Sequence, residues 1–509
     1  MPDFRWILTV TSLVPVLLIG CATVDSQPDF ERAEGFIHQS TGQADAQPPS
    51  DGESLQQRAS VLLEDGLTIE EAVELALLNN PELQAAWMDI GMAKADLVQA
   101  GLLSNPTLGV SLRFPSGGGL ANLEAGLAQN IAELWQIPSR KQAASKALDR
   151  TILDLARRAT LLATDAKTAY FEAVGAVQLL AIRQENLKVA RELLDMALSR
   201  QRAGAASQLD VNLARSMALD AELAADTARL AKSNAMRQLA KTLGVTDVAD
   251  QIVLRTEIND PPLTPPTAEQ LVGLALASRL DIQAAEQAVE ASAARLKLEY
   301  ARVFPNVELG VALERDARKA QGGRDILADT ARASIANGQF TAPEIQPRSE
   351  RDQDTDFIIG PSLSMELPIF DQNQAQIAKA EFAYRQAART LDALERMVVQ
   401  DTRTAVDQVR TAWSIASTYR ERSVPLAQSN LELSRQAYQA GQASFLAVLE
   451  AQRFFLDSRA QYIQALQAAA VAIPELERTI GLPYETLISK STTQPASTDA
   501  TATQPGDES

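Results

Sequence analysis

Two kinds of hydrophobic periodicity divide the chain into short and long elements. In four short stretches apolar and polar residues alternate, as Leu108, Val110 and Leu112 do with their neighbours. These stretches are residues 107–114, 123–131, 306–314 and 357–367. A period of two over about 8–11 residues predicts β-strands with one apolar and one polar face, which suits either a half-buried sheet in a water-soluble protein or a membrane barrel.

The long elements follow a spacing of alternating three and four residues. One seam runs from Ile152 to Leu180 and is mostly alanine, and a second runs from Ile377 to Val398. This spacing predicts coiled-coil helices whose backbones approach closely. The helical pattern over 139–203 covers 65 residues, or about 97 Å at the rise of an α-helix. No compact domain needs such a helix, so we predict a spacer or the wall of a tube.

Capping residues and glycines predict where the helices begin and end. Thr68, followed by Glu71 three residues later, predicts the capped start of a helix of about 35 residues. Gly204 and Gly441 predict turns after the long helices, because glycine adopts the left-handed backbone found at helix ends. The remaining predicted helices are 208–243, 373–440 and 445–480, with kinks at Pro425 and Pro474.

The chain contains two copies of one unit. Residues 68–86 match residues 267–285 at a fixed offset of 199, with Leu-Ala-Leu and Gln-Ala-Ala in register. The stretch 204–211 matches 441–448, which share the pattern G-x-A-S-x-L-x-V. These matches predict a tandem repeat. The predicted segments are repeat 1 (67–260), a Pro-rich join (261–266), repeat 2 (267–485) and a disordered tail (486–509).

The N-terminus has the pattern of a lipoprotein signal peptide. An apolar run of 15 residues ends at Gly20 and is too short to span a bilayer comfortably. It closes on Leu-Ile-Gly-Cys, the bacterial lipobox pattern, which implies cleavage before Cys21 and lipidation of that residue. An ordinary secretory peptide is the alternative. Ala22 favours sorting to the outer membrane. The predicted segments are a signal peptide (1–20) and a polar, lipid-anchored tether (21–66).

Composition excludes several classes of function. Lys and Arg number 47 against 65 Asp and Glu, a net charge of −18, which argues against a nucleic-acid partner. His38 and Cys21 are the only residues of their types. A metal site built on His or Cys, a Ser-His triad, a Cys-His dyad and an intrachain disulfide are therefore excluded. We predict no enzyme and no cofactor beyond the covalent lipid on Cys21.

The motifs together resemble the TolC-like outer-membrane efflux proteins. The resemblance covers about 67–485 and rests on LTIEEAVELALLNNPEL, GLLSNPTLGVSL, PSLSMELPIF and the two glycine turns, which begin at Leu67, Gly101, Pro361, Gly204 and Gly441. The stretch ELWQIPSRKQAA from Glu133 is most similar to the heavy-metal efflux branch. The cargo is left open between drugs, metal ions and other small molecules.

The resemblance implies a homotrimer. Three chains would form one twelve-stranded outer-membrane barrel above a periplasmic α-helical tunnel, a mainly α fold with a β-barrel part. It also implies a passive exit duct in a Gram-negative-type bacterium, served by a periplasmic adaptor and an inner-membrane pump. Independently, two strands per repeat cannot close a barrel, so an oligomer is required to remove the sheet edges.

Site residues follow from the same resemblance. The two turns, with Gly204, Ser207 and Asp210 in one and Gly441 and Ser444 in the other, are implied to dock the adaptor; a purely structural turn is the alternative. Acids after the second turn ring the tunnel constriction in the family, and the matching positions are Ala447 and Glu450. Glu450 is thus a candidate constriction residue or, alternatively, a solvated residue on an outer face. The charged segment 315–356 is interpreted as an extracellular loop.

Two other functions remain open from the sequence. A lipid-anchored periplasmic coiled-coil scaffold without a pore would account for the long helices, although the four alternating stretches disfavour it. A channel for type I protein secretion would share the whole architecture.

Overall fold

A computed structural model describes the folded part of the chain. The described residues are 22–43, 66–114, 121–245, 252–255, 258, 267–304, 306–317, 332, 334–339, 355–484 and 486. The predicted signal peptide, Cys21, the Pro-rich join and most of the 315–356 loop and the C-terminal tail lie outside these residues. The chain divides into two compact units. The sheet unit comprises 96–146 and 289–386, and the helical unit comprises 23–95, 147–288 and the residues from 387 onwards.

Helices and strands follow the same order in the two halves of the chain. The first half contains α1 (Gln27–Thr41), α2 (Ile69–Asn79), α3 (Pro81–Ala100), β1 (Thr107–Arg113), β2 (Asn122–Asn130), α4 (Glu133–Arg202) and α5 (Gln208–Thr242). The second half contains α6 (Ala268–Ser278), α7 (Leu280–Ala301), β3 (Val307–Ala317), β4 (Thr355–Met365), α8 (Gln374–Thr418), α9 (Val424–Gln439) and α10 (Phe445–Ile480). Apart from α1, each element of the first half has a counterpart in the second.

The first long helix of each half is in fact two helices, so the prediction of one 35-residue helix is wrong. In the first half the break falls at Asn80, whose backbone is extended (φ −72°, ψ 118°). Its Oδ1 accepts hydrogen bonds from the N–H groups of Glu82 (3.0 Å) and Leu83 (3.2 Å), which makes it the N-cap of α3. Pro81 disfavours a helical conformation at the preceding residue. Arg279 occupies the same position between α6 and α7.

The prediction of a polar tether is wrong for residues 27–41, which form α1 and pack on the helical unit. Ile37 is fully buried, and the ring of Phe30 meets Trp87 edge-on at 5.8 Å. The buried carboxylate of Asp29 pairs with Lys94 Nζ at 2.7 Å. The segment is polar overall, but its apolar residues lie along one side of the helix. This apolar side is sufficient for α1 to pack on the helical unit.

The longest helix, α4, spans 70 residues. It begins six residues before the predicted start and includes Pro138 in its first turns. The alanine seam packs as expected, with Ile152, Ala159 and Ala166 fully buried. In the second half, a π-helical segment (Tyr419–Ser423) separates α8 from α9 at the place where Pro425 was predicted to kink the helix. Proline has no backbone N–H to donate, and its ring clashes with the preceding turn of an α-helix. The wider π-helical turn accommodates both effects.

The sheet unit contains one antiparallel sheet with strand order β1-β2-β3-β4. The helices that adjoin the strands are held by side chains that donate hydrogen bonds to carbonyl groups. Arg140 donates to the carbonyls of Ala100 (2.8 Å) and Leu102 (2.6 Å) beyond the end of α3. Asn373, at φ 61°, donates to the carbonyl of Glu299 (2.7 Å). These hydrogen bonds hold the backbone near the ends of α3 and α7, from which the strands follow.

One hydrophobic cluster of the helical unit lies where α6, α7, α8 and α10 meet. Its buried residues are Leu271, Ala275, Ile282, Val398, Ala405, Val406, Val409, Leu476, Ile480 and Leu482.

Candidate functional site

One face of the sheet is mainly apolar, with Gln129 and Arg315 as polar exceptions near the ends of the strands. The strand register pairs Leu108 with Leu127, Leu127 with Val311, and Val311 with Pro361. Residues paired directly across antiparallel strands point to the same face. The even-numbered apolar residues of β1 and the odd-numbered apolar residues of β2, β3 and β4 therefore lie on one side. Leu108 is 72% exposed and Phe357 is 65% exposed. This apolar face is therefore open in the single chain.

The opposite face carries small and charged residues. Gly109, Gly126, Ala312 and Gly360 form one register row across the sheet. In the next row Glu124 is paired with Glu314 and forms a salt bridge of 2.7 Å with Arg113. Because these side chains are short or charged, this face suits contact with water.

The first turn joins α4 to α5 through Gly204. This residue has φ 74°, a left-handed conformation that strains any residue with a Cβ atom. Ser207 Oγ accepts from the backbone N–H of Asp210 (3.2 Å), and Asp210 accepts from the backbone N–H of Ser207 (2.9 Å). The backbone and then the side chain of Ser207 lower the pKa of Asp210 by hydrogen bonding. Asp210 is thus a capping residue.

The second turn joins α9 to α10 through Gly441, at φ 73°. Ser444 Oγ accepts from the backbone N–H of Ala447 at 3.3 Å. Ala447 occupies the position that Asp210 has in the first turn, and its side chain cannot accept a hydrogen bond. The second turn therefore has only half of the capping box.

The structure brings the two turns together. The guanidinium of Arg200 lies over the ring of Tyr438, 4.9 Å from its centroid. Tyr438 also contacts Phe445, with centroids 5.9 Å apart. Phe445 packs against Val211 and its buried neighbours in the first turn. Arg200 and Tyr438 were not among the predicted residues. The signal in the sequence that could have indicated this contact is the aromatic residue three positions before Gly441.

Comparison with known proteins identifies the family. The profile described as "Outer membrane efflux protein" matches residues 72–245 and 271–482. The chain belongs to the outer membrane efflux protein family. This efflux protein is 25% identical over 402 residues to outer membrane protein TolC of Escherichia coli, covering 75% of each chain. It is 24% identical over 427 residues to cobalt-zinc-cadmium resistance protein CzcC of Cupriavidus metallidurans, covering 82% of this chain and 90% of CzcC.

A solved structure has the same fold. The outer membrane protein VceC of Vibrio cholerae superposes with a TM-score of 0.62 at 18% identity, covering 82% of this chain and 96% of VceC. The TolC-like resemblance is confirmed, and with it the mainly helical, tunnel-type fold. The efflux protein is an outer-membrane channel component of efflux systems and extends into the periplasm. Its family is one of transport ducts.

Glu450 of the efflux protein lies on α10, nine residues after Gly441. Its side chain is exposed and lines a groove together with Asp220 of α5 and Arg453. Asp457, one turn further along α10, pairs with Arg183 of α4 at 3.5 Å. In the single chain, Glu450 therefore faces a mixed-charge groove between helices.

A buried charge cluster was missed by the sequence analysis. Arg279, 6% exposed, donates to both carboxylate oxygens of Asp281 (2.9 and 2.5 Å) and to the carbonyl of Thr479 (3.1 Å). Arg157 lies 3.5 Å from Asp281 and donates to the carbonyl of Arg478 (3.1 Å). Burial lowers the pKa of Arg157 to about 10. Both cations meet the C-terminal end of α10, where the helix dipole favours positive charge.

Two features are absent from the described part of the chain. No helix in that part of the chain combines the length and apolar character needed to cross a membrane. No group of three or more His, Cys, Asp or Glu side chains there is arranged to hold a metal ion.

Proposed function

We propose that three copies of the chain form one passive exit duct through the outer membrane for small molecules or metal ions. The proposal rests on the open apolar face of the sheet and on the polar face on the opposite side of the same strands. Lipid on the apolar side and water on the polar side would satisfy both faces. A scaffold without a pore would leave the apolar face in water.

Barrel closure accounts for an assembly of several copies, and three is the number that the family resemblance implies. Within the described strands, β1 and β4 are the edges of the sheet, and an open edge in lipid would leave backbone groups without hydrogen bonds. If β4 of one copy pairs with β1 of the next, three copies give twelve strands and no edge. Native mass spectrometry of the detergent-solubilised protein is expected to give the trimer mass; a monomer would contradict the assembly.

The cargo is proposed at the level of chemical class. CzcC is named for cobalt, zinc and cadmium resistance, while TolC carries no cargo in its name, and the chain is about equally similar to both. An inner-membrane pump would supply the cargo through a periplasmic adaptor. Loss of the gene is expected to raise sensitivity to the substrates of the pump encoded beside it.

The two turns are proposed as the adaptor-docking surface. Valine at Gly204 or Gly441 would force a β-branched residue into a left-handed backbone, at a cost of about 1–3 kcal/mol. We expect Gly204→Val and Gly441→Val to reduce cross-linking to the adaptor severalfold while trimers persist. Gly91→Val is the control, because Gly91 has an ordinary φ and open space around its Cβ position. Unchanged cross-linking in both turn variants would remove the turns from the interface.

Glu450 is proposed to line the periplasmic constriction of the trimer. Threefold symmetry would bring three carboxylates near one axis and favour cations. With Ala447 in place of the first of the two acids, the filter holds one carboxylate per chain. We expect Glu450→Gln to lower the cation preference of single channels and Glu450→Asp to retain it. A reversal potential in a salt gradient that is the same for all three proteins would place Glu450 outside the constriction.

Cys21 is proposed to carry a covalent lipid. The support is the lipobox that ends on the only cysteine of the chain. Several acyl chains would hold the N-terminus in the membrane independently of the barrel. Radiolabelled palmitate is expected to enter the wild type but not Cys21→Ser, which still inserts in part. Equal labelling of the two proteins would exclude Cys21 as the acceptor.

A further inference from the structure

One arginine interrupts the apolar face of the sheet. Arg315 of β3 is paired with Leu123 of β2 and with Phe357 of β4, so its side chain lies on the same face as Leu127 and Val311. It is the only charged residue on this face of the four described strands. A cation is costly in the middle of a bilayer, so the position of Arg315 along the strand decides what it faces.

Arg315 lies at the end of the apolar face that is farthest from the helices. Strand β3 follows α7 and runs from Val307 to Ala317. The distance from Val307 to Arg315 is about 26 Å along a strand, or about 20 Å across the membrane at the usual strand tilt of about 40°. The apolar band of an outer-membrane barrel is about 25 Å tall. With Val307 near the periplasmic edge of this band, Arg315 lies near its outer edge.

The charge of Arg315 is not balanced within the described residues. The guanidinium forms no salt bridge there, and its Nε has no hydrogen-bond acceptor. Its Cζ instead lies over the ring of Phe357, 5.8 Å from the centroid. On the polar face, by contrast, Arg113 is paired with Glu124 at 2.7 Å. The partly exposed Arg315 is thus held on the apolar side of the sheet by an aromatic ring and lacks an anion.

We propose that Arg315 binds a phosphate group of lipopolysaccharide, the lipid of the outer leaflet of the outer membrane. A guanidinium fits a phosphate because it can donate two parallel hydrogen bonds to it. The long side chain reaches the level of the phosphates while its methylene groups stay among apolar neighbours. Leu123 and Phe357 pack against the acyl chains below. The proposal rests on the proposed duct, because it requires the apolar face of the sheet to meet lipid.

The test is native mass spectrometry of the purified full-length protein in detergent, titrated with diphosphoryl lipid A. Lipid A from which both phosphates have been removed is the matched probe, and we expect it to bind the wild type at least tenfold more weakly. Arg315→Gln is expected to weaken binding of diphosphoryl lipid A about tenfold, as is usual for the loss of a hydrogen bond between charged groups. Arg315→Lys keeps the charge without the two-point hydrogen bonding and is expected to weaken binding about threefold.

Two controls separate this site from general attraction to anions. Arg113→Gln removes the same type of charge from the polar face and is expected to bind the lipid like the wild type. Inorganic phosphate at millimolar concentration is expected to leave the lipid bound; displacement of the lipid would indicate a site for free anions and overturn the proposal.

The same spectra separate the lipid site from the duct. The mass of the protein itself reports the trimer, so a monomer would contradict the duct, whereas the lipid adducts report the site. Equal binding of the two lipids by the wild type, or wild-type binding by Arg315→Gln, would overturn the lipid site and leave a trimeric duct standing. If Arg315→Gln does not fold, wild-type binding by Arg315→Lys would overturn the site instead.

Discussion

Val311→Arg is expected to abolish insertion of the protein into the outer membrane. Val311 lies in the middle of β3, between Leu127 and Pro361, and is 54% exposed on the apolar face. An arginine facing lipid near the bilayer centre costs about 2–4 kcal/mol, and a trimer would contain three. Fractionated membranes analysed on semi-native gels are expected to show no trimer band for this variant.

Ala312→Arg is the matched control for that variant. Ala312 is the next residue of β3 and points to the opposite face, in the row that contains Gly126 and Gly360. There an arginine would extend into the water-filled interior, so we expect the trimer to form and its conductance to fall. Equal loss of the trimer in both variants would contradict the assignment of the two faces.

Arg279→Ala is expected to destabilise the helical unit by about 3–5 kcal/mol, the usual cost of removing one partner of a buried ion pair. The variant would leave Asp281 without its two-point hydrogen bonding and the carbonyl of Thr479 without its donor. The thermal midpoint followed by circular dichroism is expected to fall by many degrees. Arg295→Ala, at an exposed position of α7, is expected to change stability by no more than about 0.5 kcal/mol.

A double variant tests whether the ion pair is the cause. Replacing both partners, as in Arg279→Met with Asp281→Leu, removes the pair but leaves Arg157, which lies 3.5 Å from Asp281 in the wild type, without its carboxylate. The double variant is therefore expected to recover part of the loss. If the double variant is as unstable as the sum of the single variants, the arginine acts through packing alone.

The same cluster predicts a pH dependence. Burial raises the pKa of Asp281, but hydrogen bonds from Arg279 and the charge of Arg157 outweigh burial and leave the pKa below its ordinary value. A carboxyl whose pKa is lowered by folding stabilises the protein above its unfolded pKa and loses that contribution as the pH falls through its folded pKa. The stability difference between wild type and Arg279→Ala should therefore narrow below about pH 4.

Periodicity and capping chemistry predicted the elements that depend on local sequence. The capping box at Thr68 is confirmed by reciprocal hydrogen bonds, and the structure shows a second box between Ser207 and Asp210. The strands lie within a few residues of their predicted bounds, and the largest difference is at β3. This strand continues to Ala317 because Arg315–Ala317 pair with residues 355–357, whereas the apolar alternation ends earlier.

Features that depend on distant partners were not predictable in this way. Helix α1 has the composition of a polar segment, because only Phe30, Ala33 and Ile37 form its apolar stripe and the residues that they contact lie elsewhere in the chain. Arg279 matches Asn80 at the repeat offset, yet it makes an ion pair where Asn80 makes a helix cap. The repeat aligned the two positions, but their chemistry is set by what each one contacts.

Single-channel recording in planar lipid bilayers tests the central claim most directly. Purified wild-type protein, added to one side, is expected to insert as uniform steps of conductance with a cation-favouring reversal potential. Protein carrying Val311→Arg, prepared in the same detergent, is expected to give no steps. Repeated additions of folded, trimeric wild-type protein that produce no conductance would contradict the account of the protein as an outer-membrane duct.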